Sequence, residues 1–599
     1  MQQNANAASP ASTNAWSAAY PPSDHDRLIL DWRAGRVAAD TVLARLRHWQ
    51  AVTTDVARRS RIASDRISVA WQVGQPNEAV VAAQDVGVAA LTAYALGPLA
   101  AAARAARNLP LQGQAVQRRI ALEPQAFDAR VQEALWLIDS GSHDAAQRAV
   151  DALNARATNT SERVAVLELR AVSAETRNDL PGARRHYDDL LRLDPGYRPA
   201  QRSRIFLASR MGTPNTALAE ARAVPGLLSP LEMASLEQEA LGERLRWAIA
   251  ERDRGGDDLQ RFSALDAVLR DGDALARRLT ATDPTLDQPE WRAVQRRLDA
   301  DRVVALFQRG GRDADVVALY ESLRATGPAP WYATASAAGA QARLRRADLA
   351  VPLYQTALRD GGDAVRMPSD VHVGLVYAYL DTAQFEAADV LLADMISRTP
   401  PLLANSPEAG RPNDEYGDLL GLRALVLLYT DRPAQAQSQF NELTALAPRS
   451  EPYRTGQARL LRLREQPDAA LRTFDDVLAD HPLSVDARAG RAETLYDAGR
   501  MHEATQRLNE LAQLHPGHGA VRSAQRTRDT VMAPRLSVEA VRGRDGGTLS
   551  NRDWRAEARL SSGWYTRANE HNWRVFARQL WSSADIGGTS LDAPRTGLG

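Results

Sequence analysis

Acidic residues and tyrosines recur together in three short stretches of the C-terminal half of the 599-residue chain. We call them the acid–tyrosine set, and its members are Asp370, Tyr377, Asp381, Asp418, Tyr429, Asp486, Glu493, Tyr496 and Asp497. Carboxylates pair with amines, and the faces of aromatic rings pack on sugar rings and on cations. We therefore interpret the set as candidate contacts for a sugar polymer that bears scattered ammonium groups. Ordinary solvated charge on helix surfaces is the alternative explanation.

Motifs for bond-making chemistry are absent from the sequence. It contains no G-x-x-x-x-G-K-[ST], no G-x-S-x-G and no H-E-x-x-H, and it has no cysteine for disulfides or zinc–thiolate sites. Among the ten histidines, His515 lies near His518 and His25 lies between two aspartates, both where loops are expected and without a third ligand. We predict no catalytic residue, no metal and no cofactor.

Charge and hydropathy exclude further classes of protein. There are 74 basic and 74 acidic residues, and every basic residue is arginine. A chain that binds nucleic acid through phosphates needs an excess of positive charge, so we expect no nucleic-acid partner. The sequence has no run of 18 apolar residues, so it predicts no membrane-spanning helix. The polar residues 1–24 predict a flexible lead-in, with any secretion signal upstream of Met1 or already removed.

Four columns of residues repeat every 34 positions and predict the scaffold that carries the acid–tyrosine set. The columns hold a small residue, a second small residue, a large apolar residue and proline: Ala424, Ala458 and Ala492; Ala436, Ala470 and Ala504; Phe440, Phe474 and Leu508; Pro448, Pro482 and Pro516. Two antiparallel helices in close contact need small residues at their crossing and a bulky residue beside it. This order is typical of the tetratricopeptide repeat (TPR).

The repeats predict an all-α TPR superhelical solenoid that is followed by a short β segment. We expect N-terminal TPR-like repeats over 25–223, irregular helical hairpins over 224–330 where the period is lost, and C-terminal TPR repeats over 331–530. Residues 400–418 form an expected long loop within the last segment. The β segment is expected over 535–599.

In a TPR array the first helix of each repeat lines the concave surface. Counting Val485 as position one, the usual inward positions two, nine, twelve and thirteen are filled by the last four members of the acid–tyrosine set. The units that begin at Ser369 and Gly417 supply the other members. The intervening unit carries Arg459 and Arg462 at such positions, where they can pair with the neighbouring acids.

After Pro534 the apolar residues alternate with polar ones, which predicts strands. The runs are Leu536–Ala540, Trp554–Trp564 and Trp573–Trp581. A period of two over about eleven residues, with aromatic residues at both ends, is typical of outer-membrane barrel strands. A half-exposed β-meander is the alternative.

A long TPR array that leads directly into barrel-like strands resembles the PgaA/HmsH family of poly-β-1,6-N-acetyl-D-glucosamine export porins. The stretch Asn572–Arg578 also looks like the NWR-x-F motif of an early barrel strand in that family. The resemblance implies an outer-membrane protein whose periplasmic TPR part guides partly deacetylated polymer to the pore for biofilm matrix secretion. It also implies that the TPR part recruits the periplasmic polysaccharide deacetylase, and that this sequence holds only the first barrel strands.

Two alternatives remain open at this stage. The cellulose export porin subunit shares the solenoid and the barrel, but it would bind a neutral glucan and would need no acidic groove. A TPR scaffold for protein–protein interaction would have no affinity for sugar, and its β segment would be a soluble meander.

Overall fold

The computed structural model describes residues 22–254, 258–281, 289–404, 410–545, 551–586 and 589–599. Contacts divide the chain into two units between Leu236 and Glu237. The expected lead-in, residues 1–24, lies outside the described residues except for its last three, which begin the first helix. In the described ranges, no helix combines the length and the apolar character that crossing a bilayer requires.

The first unit consists of helices that pack on their neighbours in sequence order. They are α1 (Pro22–Arg33), α2 (Ala39–Val52), α3 (Val56–Gln72), α4 (Pro76–Gln84), α5 (Ala93–Ala105), α6 (Leu109–Leu122), α7 (Phe127–Asp139), α8 (His143–Arg156), α9 (Thr160–Thr176), α10 (Leu180–Leu193), α11 (Arg198–Arg210), α12 (Pro214–Ala223) and α13 (Pro230–Asp253), which extends past the unit boundary. Side-chain oxygens of Asp55, Asn159 and Asp179 accept hydrogen bonds from backbone N–H groups at helix starts. Such caps satisfy donors that have no partner within the helix.

The second unit continues with helices before the C-terminal sheet. They are α14 (Asp258–Arg261), α15 (Ser263–Ala281), α16 (Pro289–Arg309), α17 (Asp313–Ala325), α18 (Trp331–Arg343), α19 (Ala347–Gly361), α20 (Asp370–Asp381), α21 (Phe385–Arg398), α22 (Asp414–Tyr429), α23 (Pro433–Leu446), α24 (Glu451–Leu463), α25 (Pro467–Asp480), α26 (Val485–Asp497), α27 (Met501–Leu514) and α28 (Gly519–Met532). The predicted loop 400–418 instead contains a small antiparallel ladder of β1 (Leu402–Ala404) and β2 (Gly410–Pro412), and then the start of α22. Helix α22 starts early because Asn413 caps it by accepting a hydrogen bond from the N–H of Glu415.

The 34-residue columns lie in the core, which confirms the TPR prediction. The six column alanines from Ala424 to Ala504 are at most 1% exposed, as are Phe440, Phe474 and Leu508. The rings of Phe440 and Phe474 pack against Gly456 and Gly490 of the following helix, where a Cβ would clash with the ring. The column prolines come two residues after the ends of α23, α25 and α27.

An antiparallel sheet follows α28. Its strands are β3 (Arg535–Asp545), β4 (Asn551–Ser561), β5 (Phe576–Ile586), β6 (Thr589–Asp592) and β7 (Arg595–Leu598), in the order β3-β4-β5-β6 with β7 also paired to β5. The register places Leu536 opposite Leu560 and Ala556 opposite Trp581, so that the apolar residues share one face. The predicted alternation of these strands is therefore confirmed.

The third predicted strand begins later than the sequence pattern indicates. Trp573 forms only an isolated bridge with Tyr565, and the two rings stack with their centroids 4.4 Å apart. The regular strand β5 begins at Phe576. The residues between β4 and β5 contact the last TPR hairpin instead: Trp564 packs on the core that contains Leu495.

Candidate functional site

The acid–tyrosine set is distributed over three helices of the second unit: α20, α22 and α26. Tyr377 on α20 and Tyr429 on α22 both expose a large part of their rings. Burial of part of Tyr377 raises the pKa of its phenol, and the neighbouring Tyr429 raises it further. The two exposed tyrosines lie on the first helices of successive repeats.

Three acids of the set are unpaired. Asp370, Asp381 and Asp418 are exposed and make no ion pair with any described residue. Partial burial raises the pKa of Asp418, and the nearby carboxylates of Asp414 and Glu415 raise it further. A cation next to Asp418 would therefore relieve repulsion between carboxylates.

The other three acids are bound by arginine. A guanidinium N–H of Arg459 donates to Asp486 at 3.0 Å, and Arg462 donates to Glu493 at 2.7 Å and to Asp497 at 2.6 Å. The pairing that the sequence allowed is thus confirmed. These bonds join α24 to α26, and they neutralise acids that would otherwise attract a cationic ligand.

Tyr496 lies in the core rather than on the groove surface. It is 3% exposed, and its hydroxyl lies 2.9 Å from the hydroxyl of Thr505 on α27. Burial raises the pKa of its phenol. Its ring fills space between α26 and α27, so it offers no face to a ligand.

The structure brings Tyr377, Asp418 and Asp486 together around one cavity of about 380 Å³. Its wall also contains Phe440 and Arg459, and further residues that sequence reasoning missed: Val373, Leu419, Gly421, Leu422, Leu425, Glu451, Pro452, Tyr453, Thr455 and Gly456. We call this space the α22–α24 cavity.

Two glycines on α22 create the room for Tyr453. A Cβ on Gly417 would overlap the hydroxyl of Tyr453, and one on Gly421 would lie 3.5 Å from its ring. The two glycines are four residues apart and therefore share one face of the helix. This spacing is the sequence signal that could have identified Tyr453.

Asp370 lies in a different cavity, of about 590 Å³, with Trp331, Tyr332, Tyr354 and Arg366 among its wall residues. The remaining exposed members of the set, Asp381, Tyr429 and Asp497, line neither cavity. The set is therefore not one continuous pocket but a series of positions on α20, α22 and α26.

Residues 131–198 and 461–526 match models described as tetratricopeptide repeat. Among solved structures, a tetratricopeptide repeat protein from Parabacteroides merdae is 12% identical, with a TM-score of 0.34, over 48% of this chain and 99% of that one.

The poly-beta-1,6-N-acetyl-D-glucosamine export protein of Escherichia coli K12 is 23% identical over an alignment of 589 residues that covers 95% of this chain and 66% of that protein. The protein of the same description from Escherichia coli O157:H7 gives the same figures. The chain thus spans about two thirds of the length of these curated relatives. Over nearly its whole length the chain is similar to poly-beta-1,6-N-acetyl-D-glucosamine export proteins, which confirms the resemblance drawn from its repeats and strands.

Proposed function

We propose that the chain is the periplasmic TPR part, with the first barrel strands, of an outer-membrane exopolysaccharide export porin. Its TPR helices guide partly deacetylated poly-β-1,6-N-acetyl-D-glucosamine towards the pore, for secretion of biofilm matrix. The chain binds and directs the polymer without making or breaking bonds. The similarity to export proteins over 95% of the chain supports this assignment.

The observation that carries the proposal is the combination of exposed tyrosines and unpaired acids on α20 and α22, the first helices of two successive repeats. Tyr377 and Tyr429 offer ring faces to sugar, while Asp370, Asp381 and Asp418 offer free carboxylates to amines. A polymer in which most units are neutral and some carry an ammonium group matches both features. A site for a neutral glucan would not need the unpaired acids.

The C-terminal sheet supports the outer-membrane location. Leu536 is 67% exposed, Val538 70% and Leu560 57%, all on the apolar face of the sheet. Apolar surface that stays in water costs about 25 cal/mol for each Å² in free energy, relative to apolar surface that is buried. Contact with lipid removes that cost, as it does on the outside of an outer-membrane barrel.

A periplasmic polysaccharide deacetylase is the partner that this function requires. Acidic groups in the groove recognise free amines, and such amines exist only after acetyl groups have been removed from the polymer. The family resemblance implies the same partner. We therefore expect the enzyme to act on the polymer before the TPR part binds it.

Calorimetry with oligosaccharides tests the proposal. We expect the chain to bind partly deacetylated β-1,6-linked oligomers several times more tightly than fully acetylated ones. Each exposed ion pair contributes at most about 1 kcal/mol, so several must act together, and binding should weaken at high salt. Equal affinity for the two oligomers would reject the electrostatic guide. Binding of cello-oligosaccharides alone would favour cellulose export, and binding of no sugar would favour a protein scaffold.

A further inference from the structure

The α22–α24 cavity contains a buried hydroxyl with no partner. Thr455 on α24 is 3% exposed, and its Oγ1 has no hydrogen-bond partner among the described residues. A buried polar group without a partner destabilises a fold, and such groups are rare. Thr455 is one of the residues that line the cavity, so a ligand bound beside it could supply the missing bond.

The cavity walls suit both the apolar faces and the polar rim of a sugar ring. Tyr377 and Tyr453 both line the cavity, and Phe440 and Gly456 belong to its apolar wall. A sugar ring has apolar C–H faces and a polar rim, so that aromatic walls suit its faces and hydroxyl groups suit its rim. A volume of about 380 Å³ lies near the lower end of the range for small-ligand sites, about 300–1,000 Å³.

The charges at the cavity select a cation. Asp418 pairs with no described residue, and Glu451 accepts a hydrogen bond only from the neutral hydroxyl of Ser484, whereas Arg459 is bonded to Asp486. The wall therefore carries uncompensated negative charge, and the exposed carboxylate of Asp418 is available to an incoming cation. In the described part of the chain, no three acids or histidines are grouped to hold a metal ion, so an ammonium group fits better.

We infer that the α22–α24 cavity is a subsite for a single 2-amino-sugar unit with a free amine. Asp418 accepts the ammonium group, Tyr377 and Tyr453 contact the ring, and Thr455 exchanges a hydrogen bond with a ring hydroxyl. This inference rests on the proposed function and deepens it, because it identifies one place where the protein distinguishes a sugar unit with a free amine from an acetylated unit.

The test uses the full chain and two single sugars, methyl β-glucosaminide and its N-acetyl derivative, with affinities measured by ligand-observed NMR. We expect Asp418→Asn to weaken the glucosaminide about fivefold, the equivalent of one exposed ion pair, and to leave the N-acetyl sugar almost unchanged. Thr455→Val should weaken the binding of both sugars severalfold. Thr455→Ser, which keeps the hydroxyl, should bind both sugars as the unsubstituted chain does. Asp476→Asn is the matched control, because Asp476 is also exposed and forms no ion pair with any described residue but lies outside the cavity, and it should change neither affinity.

Thermal unfolding separates a binding hydroxyl from a structural one. Thr455→Val removes a buried hydroxyl that has no partner, so the melting temperature should stay the same or rise. A lower melting temperature would show that the hydroxyl is bonded within the fold, and it would overturn the role of Thr455. Unchanged glucosaminide binding in both Asp418→Asn and Thr455→Val would overturn the subsite.

Oligomers distinguish failure of the subsite from failure of the proposed function. If the oligomers bind but neither cavity variant changes their affinity, the subsite is wrong and the guiding function remains. If the glucosaminide binds through Asp418 but deacetylated oligomers bind no more tightly than this single unit, the subsite remains and the guiding function is wrong.

Discussion

The side-chain amide of Asn572 donates a hydrogen bond to the backbone carbonyl oxygen of Gly499, with an N–O distance of 2.6 Å. Gly499 lies in the turn between α26 and α27, where its φ of 77° favours glycine. Asn572 belongs to the stretch that resembles a barrel-strand motif, yet in this structure it binds the TPR array. The loop between β4 and β5 therefore fastens the sheet to the last complete hairpin.

Glu570 strengthens the same attachment. Its carboxylate accepts hydrogen bonds from the backbone N–H groups of His502 and Glu503, at 3.0 and 2.8 Å, at the start of α27. A carboxylate in this position acts as a helix cap that comes from a distant part of the chain. We expect Glu570→Ala to destabilise the attachment by about 1 kcal/mol. Hydrogen exchange at the start of α27 and in β4 and β5 should become faster.

Arg567→Ala is the control for this change, because Arg567 is exposed in the same loop. It should leave hydrogen exchange in α27 unchanged. Equal protection of α27 in the Glu570 variant and the control would show that the cap contributes nothing to the attachment.

The hydrogen bonds from Arg462 to Glu493 and Asp497 predict that paired and unpaired acids differ in their contribution to the free energy of unfolding. Glu493 and Arg462 are 13% and 19% exposed, so the bond between them is shielded from water. Glu493→Gln weakens this charge-assisted bond and should lower the free energy of unfolding by about 1–2 kcal/mol. Asp381→Asn, which removes an unpaired exposed acid, should change it by less than about 0.5 kcal/mol. Urea denaturation of the two variants provides the comparison, and equal losses would contradict it.

The contact between Phe440 and Gly456 predicts a strict requirement for glycine. A Cβ at position 456 would clash with the Phe440 ring, so Gly456→Ala should destabilise the fold by about 1–3 kcal/mol. Gly519→Ala is the matched control, since a Cβ there meets open space at the start of α28. The added substitution Phe440→Leu should recover part of the loss in Gly456→Ala. Thermal melts of the three variants test this order, and an unaffected Gly456→Ala would refute it.

The raised pKa of Asp418 predicts how binding depends on pH. Its carboxylate binds an ammonium group only when ionised, so affinity for deacetylated oligomers should fall as the pH drops through a value above the ordinary 3.8. Asp418→Asn should bind more weakly and lose this part of the pH dependence. The stability of the free protein depends on pH in the opposite sense. Because the pKa of Asp418 is raised in the folded state, this group stabilises the fold below its pKa in the unfolded chain. That contribution is lost as the pH rises through its pKa in the folded state. Calorimetry from pH 4 to pH 7 measures the effect, and identical pH profiles for the two proteins would exclude Asp418.

The repeats were predictable because each column residue acts through its own helix pair. The 34-residue period identifies Ala458, Phe474 and their equivalents as core, and the structure places them there. In contrast, the ladder of β1 and β2 was missed, since three-residue strands leave no detectable alternation.

The candidate site was less predictable because it depends on contacts between repeats. The inward positions include Tyr377 and Asp418, which line the α22–α24 cavity, but they also include Tyr496, whose ring lies in the core. Thr455 has no sequence feature that distinguishes it from other threonines on helices. Its importance comes from the lack of a bonding partner, which only the surrounding side chains determine.

The ion pairs that join the helices of this protein are made without lysine, since the sequence contains none. Guanidinium groups do not form amides with activated carboxylates, so a carbodiimide has no side-chain amine of the protein to couple. With a deacetylated polymer bound, the amines in reach belong to the polymer. Each amide formed between a protein carboxylate and a polymer amine would then identify a carboxylate that lies next to an amino sugar. We expect Asp418 to react and Glu493, which Arg462 shields, not to react.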